Sequence, residues 1–117
     1  MKQSKVSVLD TEYLVNIGER KEIGLSEENM GECRIYSKKI NVLDSMDDCV
    51  LVSESEQRAR EIIAHEIFHA FCNESGLAVD DDTEELFATW YMKVWRKMSN
   101  AILQVLDENG LLDETSV

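Results

Sequence analysis

"REIIAHEIFHAFCNESG", residues 60–76, holds both histidines of a chain of 117 residues. His65 and His69 stand four apart, and Glu66 follows the first of them. Around them Ala59, Ile62, Ile63, Ile67, Ala70 and Phe71 recur at helical spacing. Ser53 and Glu56 have the spacing of a capping box, and Gly76 supplies a stop. The pattern predicts a helix from about Glu54 to Glu74. Four residues of α-helix turn through about 400° and rise about 6 Å. His65 and His69 therefore point the same way, one turn apart, with Glu66 about 100° around from His65.

Two imidazoles so placed reach a single zinc ion. A carboxylate one position on approaches without being a ligand, and can take a proton from a water molecule and pass it to a leaving amine. This is the logic of the HExxH pattern of zinc proteases. Ile62, Ile63, Ile67, Phe68 and Phe71 give the pair a water-poor setting. A third ligand must come from elsewhere, because no histidine remains. Cys72 shares the helical face, but three side chains stacked on one straight helix span about 10 Å of rise and cannot surround one ion. Cys72 is read as a small buried hydrophobe. The remaining donors lie in "DDDTEELFATWY", residues 80–91. Asp80, Asp81 and Asp82 suit a helix N-terminus. Glu84 and Glu85 diverge by about 100°, so only one of them faces the first helix squarely.

The arrangement resembles the gluzincin type of zinc peptidase, whose third-ligand glutamate stands in an ExxA[ND]-like pattern on the next helix. Glu85, Ala88 and Thr89 fall in that register, with Thr89 departing from Asn or Asp. Choosing Glu84 would put Phe87 in the alanine position, so Glu85 is favoured and Glu84 is the alternative. "KKINVLD", "REIIAHEIFHAFCNESGL" and "EELFATWYMKVW" together resemble the core of small phage and mobile-element metallopeptidases related to the ImmA/IrrE group, over roughly residues 31 to 98. The resemblance implies a minimal zincin-like α+β fold: a small N-terminal twisted sheet packed on the HExxH helix and on a second, glutamate-bearing helix. It implies Zn2+ held by His65, His69 and Glu85, with Glu66 as general base in peptide-bond hydrolysis. It also implies an edge strand that pairs with an extended protein or peptide substrate. "RIYSKKINVL" is the expected strand, its lysines keeping a free edge soluble. Tyr36 and Tyr91 are the tyrosines considered for stabilising an oxyanion, with Tyr91 expected instead to pack beside Trp90 and Trp95.

Elsewhere, residues 5–17 read as one or two short strands, and "ECRIYSKKINVLD" as a strand or hairpin arm. "DSMDDCVLVSES" reads as loop, with Cys49–Val52 as a short extended piece. A second helix is expected from Asp82 or Thr83, with an apolar stripe of Leu86, Phe87, Trp90, Tyr91, Val94, Trp95 and Met98. It breaks at Ser99 and Asn100 or runs on to Asn109 and Gly110. One domain, residues 1–117, accommodates all of this. A net charge of −12 disfavours nucleic-acid and anionic-membrane partners. Three cysteines without a CxxC pair (Cys33, Cys49 and Cys72) suggest reduced thiols and a cytoplasmic setting. No apolar leader or membrane span is expected. Two alternatives stand beside the peptidase reading: a zinc-stabilised binding module without chemistry, and an acidic mimic of DNA.

Overall fold

The computed structural model describes residues 1–44 and 52–113. Its N-terminal strands, β1 (Lys2–Val8) and β2 (Thr11–Gly18), form an antiparallel hairpin. Leu9 and Asp10 turn the chain with φ of 48° and 70°. Both values are left-handed, as in the two-residue hairpin turns whose twist matches that of the strands. One helical turn follows, α1 (Arg20–Ile23), which the sequence reading missed. Glu19 and Glu22 close it with a capping box, and Gly24 ends it at φ 66°. β3 (Gly31–Arg34) and β4 (Lys39–Leu43) then form a second antiparallel hairpin. β4 also runs parallel to β2, so the four-stranded mixed sheet has the order β1-β2-β4-β3. The fold is thus α+β.

This order corrects the expected edge. The second half of "RIYSKKINVL", Lys39–Leu43, is β4 and lies inside the sheet with neighbours on both sides, while Arg34 ends β3 and residues 35–38 form the turn. The apolar alternation of Ile40 and Val42, both fully buried, drives that placement. Lys38 sits in the turn and pairs with Glu74 rather than guarding an edge. The sheet's edges are β1 and β3, and of the two β3 (Gly31–Arg34) meets α2 more extensively.

α2 (Val52–Ser75) lies against one face of the sheet. Its Ala70, Ile62, Ile63 and Ile67 pack with Val8, Tyr13, Val15, Ile40 and Val42. Ser53 is already helical, so the Ser53/Glu56 spacing does not mark the helix start. The stop at Gly76 is as expected. Gly76 has φ 71°, and the Leu77 amide donates to the Cys72 carbonyl at 3.2 Å, a Schellman closure. Of the proposed extended piece Cys49–Val52, only Val52 lies within the described residues, and it is helical.

α3 (Asp81–Glu108) is one helix of 28 residues, unbroken at Ser99 and Asn100. The Asp80 side chain caps it, accepting from the Thr83 amide at 2.7 Å. Gly110 closes it, with the Leu111 amide donating to the Leu106 carbonyl at 2.8 Å. α3 packs on α2, and Ala88 is its only buried residue among those described. Of the apolar stripe, Leu86, Phe87, Trp90 and Met98 are exposed, so Trp90 is not a core partner of Tyr91 as expected. Tyr91 instead meets Phe68 of α2, ring centroids 5.2 Å apart. No helix among the described residues is long and apolar enough to cross a membrane.

Candidate metal centre

His65 and His69 face α3 from the middle of α2, with their Nε2 atoms 3.3 Å apart. Glu85 reaches both: its Oε1 lies 2.8 Å from His65 Nε2 and its Oε2 lies 3.0 Å from His69 Nε2. The helices approach closely here because Ala88, one turn after Glu85, is fully buried. These three residues are the one group among the described residues whose donor atoms converge well enough to hold a metal ion.

The donor set fits zinc. Bonds of about 2.0–2.1 Å in a tetrahedron separate neighbouring ligand atoms by about 3.3 Å. The observed separations, 2.8 to 3.3 Å, are close to that edge. Two nitrogens and one carboxylate leave a fourth position open, as in catalytic rather than structural zinc sites.

Glu84 has a different place. Its Oε2 lies 2.5 Å from His69 Nδ1, the ring nitrogen turned away from the converging donors. A carboxylate there fixes the imidazole tautomer and orients Nε2 toward an ion. The neighbouring glutamates thus divide, Glu85 among the donors and Glu84 behind His69. Sequence spacing posed them as rivals for one position. His65 has no such support among the described residues, where its buried Nδ1 finds no hydrogen-bond partner.

The titration of the two rings follows from these contacts. Burial holds His65 below the ordinary imidazole range. Burial acts the same way on His69. There the bond to Glu84, with the charges of Glu66, Glu85 and Glu84, outweighs it and moves the ring upward.

Glu66 is 7% exposed and packs against β3 at Gly31, where an added Cβ would lie 3.3 Å from Glu66 Cγ. Burial pushes its carboxyl up to about 7, with the charge of His69 opposing and those of Glu85 and Glu32 adding. A carboxylate tuned near neutrality is suited to proton transfer. Cys72 is buried and stands outside the converging donors, as its position on the helix implies. Cys33 and Cys72 are both free thiols, and Cys49 lies outside the described residues. Tyr36 is 96% exposed in the turn between β3 and β4, and Tyr91 is packed on Phe68. Asp80 caps α3, and Asp81 and Asp82 occupy its first turn.

No family model matches the chain, and no curated protein or solved structure matches it.

Proposed function

We propose that this chain is a zinc-dependent peptidase of the gluzincin type, related to the small ImmA/IrrE-like enzymes. The observation that carries the reading is the convergence of His65, His69 and Glu85 beside a buried Glu66. Bound at these three residues, zinc supplies Lewis-acid polarisation of a peptide carbonyl and acidifies water. Glu66 takes the proton as water adds to the carbonyl carbon, and returns it to the amine nitrogen as the C–N bond breaks. Glu84 holds His69 in register. β3, the edge strand against which Glu66 packs, offers main-chain groups to an extended peptide. Ala88 supports the Glu85 register of the resemblance, and Thr89 remains its departure. The zincin-like description of the fold rests on the same arrangement of edge strand, HExxH helix and glutamate-bearing helix.

The test pairs metal content with hydrolysis. Purified protein should carry about one zinc per chain, as a single three-ligand site requires. Glu66→Gln should keep the zinc and lose roughly 10²–10⁴-fold in peptide hydrolysis. Zinc retained with no hydrolysis in either protein would favour the non-catalytic binding module, for which the exposed apolar residues of α3 speak. Failure to take up zinc at all would end both readings.

A further inference from the structure

Beyond Asn100, α3 is covered by none of the described residues. Residues 100–110 are all exposed except Leu106, which is half-buried. This free third continues an apolar strip that begins near the metal centre. Phe87, Trp90, Val94, Met98, Ala101 and Val105 recur every three or four residues, so at about 100° per residue they share one side of the helix. That side is roughly a quarter turn from Ala88, the residue buried on α2. Phe87, Trp90, Met98 and Val105 are 46%, 54%, 42% and 57% exposed. An uncovered strip of this length is the kind of surface that marks a protein interface.

The charges beside the strip indicate what covers it. Lys93, Lys97, Gln104 and Glu108 run along one flank, basic at one end and acidic at the other. Among the described residues, Lys93 and Lys97 form no ion pair, and Glu108 accepts only from Gln104, at 3.0 Å. In two antiparallel helices related by a two-fold axis, a flank faces the same flank of its partner. The axis that brings Lys93 opposite Glu108 falls near residue 101. The Met98–Val105 pairing centres within about a residue of the same point, and Ala101, the smallest member of the strip, lies between the two centres, at the closest approach. Shape and charge thus select one register.

We propose that two copies of this chain pair through the C-terminal halves of α3, antiparallel about Ala101, with Lys93 of each facing Glu108 of the other. The pair is isologous, so the ion pair occurs twice. It leaves both metal centres at the outer ends of the helix pair. This assembly does not depend on the chemistry proposed for those centres.

Sedimentation equilibrium of the full chain over a wide concentration range tests it. The wild type should show a monomer–dimer equilibrium. Lys93→Glu sets like charges together at two symmetric places and should weaken dimerisation about tenfold. Glu108→Lys should do the same, and the double exchange should restore the wild-type constant. Ala101→Trp should leave the chain monomeric, with helical circular dichroism unchanged because the position is exposed. A wild type that stays monomeric throughout would overturn the proposal and leave the strip to a different protein. A dimer indifferent to Ala101→Trp, or a double exchange that fails to restore pairing, would overturn the register.

Discussion

Glu84 and Glu85 are chemically alike and adjacent, and about 100° of helix separates their tasks. Glu85 is 58% exposed at its side chain yet touches both imidazoles. Glu84, 27% exposed, touches only the far nitrogen of His69. On the zinc reading, Glu84→Gln should lower zinc affinity about 10–100-fold while keeping the stoichiometry, the usual cost of losing a carboxylate behind a ligating histidine. Glu85→Ala should lose far more, because a donor disappears. Competition titration against a chromophoric chelator separates the two. Equal losses would remove the distinction between donor and positioning residue. His65, Glu66 and His69 were legible from their spacing, because helical periodicity alone aligns them. The role of Glu84 was not, because it depends on which ring nitrogen faces α3. That is fixed by how the two helices cross, and no local pattern carries it.

At the scale of elements, β3 and α2 fit closely at Gly31. A Cβ on Gly31 would lie 2.4 Å from Ile62 Cγ2 and 3.3 Å from the Asn41 carbonyl oxygen. The glycine is therefore required by close approach rather than by an unusual backbone angle. Gly31→Ala should destabilise the fold by about 1–3 kcal/mol, the range for overpacking. It should also disturb Glu66, which touches the same residue. Adding Ile62→Ala should recover part of the loss in thermal unfolding, since it removes the clashing methyl. If Gly31→Ala costs nothing, β3 does not press on α2 as closely as described. Across the sheet, Gln3, Asn16, Asn41 and Glu32 occupy one register row and bond in sequence, at 2.9, 3.0 and 2.8 Å. The row satisfies Asn16 and Asn41, which are buried polar residues. Both long helices were readable from periodicity and their glycine stops, and the strands in outline, as one or two short strands over residues 5–17 and a strand or hairpin arm in "ECRIYSKKINVLD", but not the pairing of β1 with β2. The parallel pairing of β4 with β2 was not, because it joins segments separated by α1 and β3. Hence β4 reads as an edge in the sequence and lies inside the sheet in the fold. α3 is limited in a related way: its periodicity shows an apolar side, but not whether the same chain covers it.

For the whole molecule, the stability of the metal-free chain should have an unusual dependence on pH. The lowered carboxyls of Glu74, bonded by Lys38 and Tyr13, and Asp80, bonded by Thr83, stabilise the fold above the ordinary carboxylate range. That contribution is lost as pH falls through their lowered values. Glu66 acts in the opposite sense. Its carboxyl is raised from 4.5 to about 7, so the folded chain keeps a proton that the unfolded chain has released. Where the folded state binds more protons, stability falls as pH rises. The Glu66 penalty therefore begins near 4.5 and is complete above about 7, with an upper size of about 3 kcal/mol. Metal binding has the contrary trend, because it requires neutral imidazoles and strengthens as protons leave them. Urea unfolding with chelator should find the wild type weaker at about pH 8 than at about pH 5, and Glu66→Gln should remove most of that difference. Added zinc should reverse the wild-type trend. A chelated wild type as stable at the higher pH, with no gain from Glu66→Gln, would mean that Glu66 ionises in solvent rather than in the interior. It would then lack the environment that suits it to exchange protons near neutrality.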